Sequence, residues 1–282
     1  MVVFDAVEGL GIVLRFRYDP LALAAVKALP ERKWNPDRKV WTVPATPDGF
    51  RGAFQALKPF GEAVLTPSAK ALWEEFKAEA EKRAEAKAMK EAPDSIIETV
   101  MAAFDLPIRP YLHQARDIMA GCALPYWGHL LEMGLGKTMC AIAIARQRRN
   151  GADVLVIAPK SVMPAWCREL ERFGEVPIRL KGPCEERLEA LNNRCAPWKI
   201  LNYEYVSPFA EELAAHKWNE MILDESTRIK NRTAAVTRAV LSLASIVPNR
   251  QILTGTPVAN KPLDVWPQML FLSPTVLGFS NY

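Results

Sequence analysis

The sequence predicts an α/β protein, a mostly parallel sheet flanked by helices, preceded by a small α+β domain and a helical linker. Three observations carry this. From residue 109 onward, apolar runs of strand length alternate with helix-length segments, the pattern of a parallel sheet with crossover helices. The opening residues instead hold short β-rich runs and two short helices. Between these regions, residues 68–91 set charges of both signs among alanines, a composition of high helix propensity. The expected domains are residues 1–66, 67–93 and 94–282.

In the first domain, Leu10 to Tyr18 alternates apolar and basic residues toward its end, as a half-buried strand does. Asp19-Pro20 starts a helix over 21–29, with Asp19 as N-cap and Pro20 in the first turn. Residues 34–38 carry a turn signal, 39–43 a strand and 48–57 a second helix. Trp34 and Trp41 are expected to pack the core, with stacking on bases as the second role open to them. In the linker, Leu72, Trp73 and Phe76 give the start of a long solvated helix one apolar face, and Pro93 ends it.

In the third domain helices are expected over 114–120, 165–172, 185–191 and 234–244. Strands are expected over 154–158, 178–180, 199–203, 220–223 and 251–253. The run Val154-Leu155-Val156-Ile157-Ala158 is apolar throughout, as suits a strand covered on both faces. Ligands of such sheets gather at the C-terminal ends of the strands.

Composition sets bounds. Among 282 residues, half are hydrophobic and 24% charged, as in soluble globular proteins. A formal charge of +4 permits nucleic-acid binding without arguing for it, because clustered charge makes the footprint. Five cysteines without a CxxC pair, and three histidines, offer no zinc template. Isolated thiols of a reducing cytoplasm are the expectation. Asp5 and Glu8 break the first apolar residues, so no signal peptide is expected. Pro125, His129 and Glu132 interrupt the apolar stretch 118–135, so no membrane partner is expected.

The chemistry centres on Glu132-Met133-Gly134-Leu135-Gly136-Lys137-Thr138, which leads into the apolar segment 139–145. Glycines let the loop turn tightly, and the following helix N-terminus favours anions, so the loop can cradle phosphate. Lys137 would reach the β- and γ-phosphates and the Thr138 hydroxyl would ligate Mg²⁺. Leu131 stands where the strict phosphate-loop formula has its first glycine. Downstream, Asp224-Glu225 follows an apolar strand. There Asp224 would hold Mg²⁺ through its water shell, and Glu225 would orient or deprotonate the attacking water. At the end of the next strand, Thr254-Gly255-Thr256 could contact these carboxylates and sense the γ-phosphate.

Four motifs in one order resemble those of Swi/Snf-type helicase-superfamily DNA translocases. They are residues 132–138; Val156-Ile157-Ala158-Pro159-Lys160-Ser161 with Trp166 and Glu169; Asp224-Glu225-Ser226 with Ile229-Lys230-Asn231; and Leu253-Thr254-Gly255-Thr256-Pro257-Val258-Ala259-Asn260. The resemblance covers roughly residues 105–282. Through Trp34-Asn35-Pro36 and Trp41-Thr42-Val43-Pro44, the opening residues are similar to the HARP domain of annealing-helicase relatives.

This resemblance implies a RecA-like lobe that uses ATP and Mg²⁺ and acts on double-stranded or branched DNA. It implies that Gln114 reads the adenine edge and that residues 133–138 surround the phosphates. Lys160 and Ser161 would contact the DNA backbone, with Lys230 and Asn260 near the same face. Thr254, Gly255 and Thr256 would couple nucleotide to DNA. Thr227 stands where the family usually has a coupling histidine or equivalent. The family also needs a second RecA-like lobe with an arginine finger, in cis or in trans, which these 282 residues are not expected to supply. Compact bacterial and phage members share the layout, so the cytoplasm of a bacterial or phage-infected cell is the expected location. The rival reading is a non-catalytic nucleic-acid-binding or regulatory module that binds ATP. An unrelated phosphate-loop kinase would explain neither 253–260 nor Gln114.

Overall fold

The computed structural model describes residues 1–258 and 261–276. They divide into two compact units, residues 1–81 with the short stretch that begins at Pro274, and residues 82–273.

The first unit contains β1 (Val2–Val7), β2 (Gly11–Phe16), α1 (Pro20–Ala28), β3 (Lys33–Asn35), β4 (Val40–Val43), α2 (Pro47–Leu57) and β5 (Ala63–Leu65). The sheet order is β3-β4-β2-β1-β5, antiparallel except for the β1–β5 pair. Asp19 caps α1 as expected, accepting from the amides of Leu21 and Ala22 at 2.8 and 3.0 Å. Phe4, Ile12, Leu14, Val26, Phe50 and Leu57 form the core. The helix expected over 68–91 is α3 (Pro67–Glu91). Ala69 and Phe76 of its first turns join this core, and Trp73 stacks on Phe50 at 5.0 Å.

Two elements depart from the sequence reading here. β1 goes unrecognised because Asp5 interrupts its apolar pattern; its carboxylate accepts from the hydroxyls of Thr66 and Ser68 at 2.7 and 2.8 Å. The turn expected at 34–38 starts later, because Trp34 and Asn35 pair with Trp41 and Val40 as part of β3. Asn35 Oδ1 then accepts from the Arg38 amide at 2.9 Å and tightens the turn.

The second unit runs α4 (Asp94–Met101), α5 (Leu112–Cys122), β6 (Tyr126–His129), α6 (Lys137–Arg148), β7 (Asp153–Ala158), α7 (Met163–Arg172), β8 (Pro177–Arg179) and α8 (Cys184–Asn192). It continues with β9 (Trp198–Asn202), α9 (Ala210–Ala215), β10 (Trp218–Asp224), α10 (Ala235–Ala244), β11 (Asn249–Leu253) and α11 (Trp266–Leu272). All strand pairs are parallel, in the order β6-β11-β10-β7-β9-β8. Val154 to Ala158 and Trp218 to Leu223 are buried, as befits strands covered on both faces. Met139 to Ala145 of α6 are buried too, so these two turns of the helix are apolar all round. The fold is therefore the expected RecA-like α/β sheet, preceded by a small unit with a mixed sheet.

Beneath the strand ends runs a buried chain of polar side chains. Gln251 Nε2 donates to the Ala141 carbonyl at 3.1 Å and to Glu220 Oε1 at 2.7 Å. Its Oε1 therefore faces His129 Nε2 at 2.6 Å, and that nitrogen carries a proton. His129 Nδ1 meets Asp117 Oδ2 at 2.5 Å, and Trp127 Nε1 donates to Asp117 Oδ1 at 3.1 Å. Burial pushes the Asp117 carboxyl up, yet the bond and charge of His129 hold it below its ordinary value. At the far end, Arg148 donates to Glu220 Oε1 at 2.7 Å and to the carbonyls of Gly121 and Leu124. Among the described residues no helix is long and apolar enough to cross a membrane, and all five cysteines are free thiols.

Candidate functional site

The parallel strands bring the expected residues to one edge. At their C-terminal ends, β6, β7, β10 and β11 lead into residues 130–136, 159–162, 225–230 and 254–258. Because β11 lies between β6 and β10, the Thr254 segment falls between the glycine loop and the acidic pair.

In the loop, Gly134 and Gly136 have φ of 83° and 76°, which only glycine takes without strain. α6 begins at Lys137, so the amides of its first turn lack carbonyl partners within the helix. Lys137 Nζ donates to the carbonyls of Leu131 and Glu132 at 2.9 and 3.0 Å, which curls its ammonium back over the loop. Thr138 is half-buried on the same turn, and the apolar tip residues Met133 and Leu135 are exposed. Gln114 of α5 accepts from the Tyr111 amide at 2.9 Å and donates to the Leu135 carbonyl at 3.1 Å. It thereby ties the segment before α5 to the loop.

Asp224 ends β10. Its Oδ1 accepts from the Glu225 amide at 2.9 Å and its Oδ2 from Trp166 Nε1 of α7 at 2.8 Å. The Asp224 carbonyl accepts from the Tyr203 hydroxyl at 2.8 Å. Burial pushes the Asp224 carboxyl above its ordinary value; Trp166, the Glu225 amide and the charge of Lys137 act against that rise. Glu225 sits at φ 50° and ψ 55°, a left-handed conformation that costs a side-chain-bearing residue roughly 1–2 kcal/mol. Strain of this kind gathers where a particular side chain direction is needed.

Thr254 is buried, with its amide donating to the His129 carbonyl at 3.3 Å and its hydroxyl accepting from the Thr256 amide at 3.2 Å. A Cβ on Gly255 would lie 3.7 Å from both the Leu131 carbonyl oxygen and Met133 Cγ. The 254–256 turn thus rests against the glycine loop. Lys160 and Ser161 are exposed just after β7, and Lys230 is exposed beyond β10. Asn260 lies outside the described residues.

A family model for the SNF2-related domain matches residues 128–281, more than half of the chain. The chain belongs to the SNF2-related family. It is 36% identical over 154 residues to the ATP-dependent helicase brm of Drosophila melanogaster, covering 51% of this chain and 9% of that protein. It is also 36% identical over 158 residues to the chromatin structure-remodeling complex subunit snf21 of Schizosaccharomyces pombe, covering 52% of this chain and 13% of the relative. The chain thus spans only a small part of these curated relatives. Among solved structures, it is similar to the Sulfolobus solfataricus SWI2/SNF2 ATPase core in complex with dsDNA. The TM-score is 0.54 at 26% identity, over 63% of this chain and 38% of that one.

The SNF2-related lobe also contains residues to which sequence reasoning gave no role. Gln268 of α11 is buried; its Oε1 accepts from the Ser226 hydroxyl at 2.6 Å, and its Nε2 donates to the carbonyls of Pro257 and Asp264 at 2.8 and 2.9 Å. One amide therefore joins the turn after the acidic pair to the turn after Thr254. Trp166 belongs to the motif that includes Lys160, but no sequence pattern predicts its bond to Asp224. A glutamine inside an apolar helix is a signal that could have found Gln268, since buried amides require partners.

Proposed function

We propose that this chain is the first RecA-like lobe of a DNA-dependent ATPase that moves along double-stranded or branched DNA, of the annealing-helicase kind. The observation that carries the reading is the gathering of four segments at one sheet edge in an SNF2-related chain. Those segments are the glycine loop, the Lys160 turn, the Asp224–Glu225 pair and the Thr254 turn. The proposed domain plan is a HARP-like unit over 1–66, a helical linker over 67–93 and the ATP-binding lobe over 94–282.

In this reading Lys137 and the amides of residues 133–138 hold the phosphates, and Gln114 faces the adenine with the N–H it does not spend on Leu135. The oxygens that fit Mg²⁺ are the Thr138 hydroxyl and the Asp224 carboxylate. Both are hard ligands, and magnesium is commonly held by one or two carboxylates together with substrate phosphates. When bound, the ion neutralises charge on the phosphates. Asp224 suits that task because its two hydrogen-bond donors are neutral and leave its charge uncancelled. Glu225, held in its left-handed turn, orients the attacking water and accepts its proton. Thr254 to Thr256, which touch the glycine loop, relay nucleotide state toward Lys160, Ser161, Lys230 and Asn260, which grip DNA phosphates without reading bases.

Hydrolysis in this scheme needs a second RecA-like lobe to bring an arginine, a contribution on the order of 10³–10⁵ in rate. The Sulfolobus core, of which this chain covers 38%, is the relative that supports a larger working unit and a duplex DNA track. The test is Glu225→Gln in an enzyme that carries both lobes. ATP turnover should fall by about 10²–10⁴-fold while ATP affinity holds. Unchanged turnover would remove Glu225 from the mechanism.

A further inference from the structure

Gln268 is fully buried in α11, beside the buried apolar residues Pro267, Phe271 and Leu272. An amide in such a place costs free energy unless its donors and acceptor find partners. The carbonyls of Pro257 and Asp264 can only accept, so they fix Nε2 on their side at 2.8 and 2.9 Å. Oε1 is thereby turned toward Ser226, whose buried hydroxyl must donate to it at 2.6 Å. The orientation of this side chain is thus set at Pro257 and passed on to Ser226.

The place of Ser226 matters because of the residue before it. Glu225 holds its φ of 50° between the end of β10 and a short 3₁₀ turn, Ser226–Ile229. A left-handed residue that bears a side chain persists only where its surroundings hold it there. On the strand side, the Glu225 amide donates to Asp224 Oδ1 at 2.9 Å. On the turn side, Ser226 is tied to Gln268, and the far end is held by the Thr237 hydroxyl, which donates to the Ile229 carbonyl at 3.3 Å. Asp224 and Leu253 are paired in register across β10 and β11, so the two turns leave the sheet at one level. Pro257, the other anchor of Gln268, directly follows the 254–256 turn that rests against the glycine loop.

We infer that Gln268 is a positioning residue for ATP hydrolysis. Through Ser226 it keeps Glu225 in the left-handed conformation that aims its carboxylate. Through Pro257 it ties that aim to the turn beside the phosphate loop. The role rests on the reading of Glu225 as the group that orients the attacking water, and Gln268 acts only through these neighbours.

The test is steady-state and single-turnover ATP hydrolysis at saturating duplex DNA, in the enzyme that carries both lobes. Gln268→Met keeps the length of the side chain and removes its bonds to Ser226, Pro257 and Asp264. It should lower kcat by about 10²-fold while KM for ATP holds, since misplacing a reacting group costs on that order and the phosphate loop is untouched. Ser226→Ala removes only the bond to Oε1 and should give a drop of the same order; it carries the test if Gln268→Met does not fold. In a Glu225→Gln background both substitutions should lose their effect, because residues that act as one unit are not additive. An amide that only supports the fold would lower turnover by the same factor in either background, or would lower thermal stability and leave kcat alone. Either result would overturn the inference and leave the ATPase reading standing, because that reading is judged by Glu225→Gln alone. If Glu225→Gln turns over ATP like the wild type, the role of Glu225 falls, and that of Gln268 with it.

Discussion

Two carboxylates on β10 contrast a buried charge met by a cation with one met only by neutral donors. Glu220, near the start of the strand, and Asp224, at its end, are both pushed above their ordinary values by burial. Glu220 is met by the Arg148 guanidinium and the Gln251 amide, each at 2.7 Å. Asp224 is met by two neutral donors, Trp166 and the Glu225 amide, while Lys137 acts on it only from beyond ion-pair range. The first charge is cancelled within the fold. The second is positioned but left available to a cation, which is the condition a metal-binding carboxylate must meet.

That contrast can be broken in three places. The largest effect is expected at Asp224. In an enzyme with both lobes, Asp224→Asn should lower ATP turnover on the order of 10³-fold, since a metal ion supplies several kcal/mol of charge stabilisation. Turnover close to wild type would place the metal elsewhere. The next effect belongs to Arg148. Arg148→Met leaves Glu220 buried without its cation and should destabilise the lobe by about 3–5 kcal/mol in urea unfolding. The sign with pH follows from Glu220. Its folded value is already raised, and losing Arg148 raises it further, so the stability it contributes is present at acid pH and lost as pH rises through that value. The destabilisation should therefore shrink on acidification, and adding Glu220→Gln should recover part of it at neutral pH. A loss that is the same at every pH would deny Glu220 this part.

The smallest effect sharpens the other end of the strand. Trp166→Phe removes a hydrogen bond that favours the charged form of Asp224. Such a bond to a charged group is worth about 1.5 kcal/mol at the low end, so the acid limb of the turnover profile should move up by roughly one pH unit. A stationary limb would mean that Trp166 only packs.

Much of this arrangement is legible in the sequence. β7 is a continuous apolar run and β10 carries Met221-Ile222-Leu223, and the acidic pair and the Thr254 turn each follow a strand that the sequence shows. β6 was not readable. Its four residues include Gly128 and His129, and a buried histidine makes sense only once Asp117 and Gln251 stand on either side of it. β1 was hidden by Asp5, whose partners lie about sixty positions away in sequence. Asn35-Pro36-Asp37 is a strong local turn signal within 34–38, yet pairing with β4 claims Trp34 and Asn35. No sequence pattern announces the left-handed backbone of Glu225 or the three hydrogen bonds of Gln268. Both depend on chain segments that meet only in the folded lobe.

The central claim is tested most directly by ATP turnover with and without double-stranded DNA, first for this chain and then for the chain joined to a second RecA-like lobe. The account predicts little turnover by the single lobe and DNA-stimulated turnover once the second is present. Duplex-stimulated hydrolysis by these 282 residues alone would contradict it, because the site would then be complete without the partner lobe's arginine.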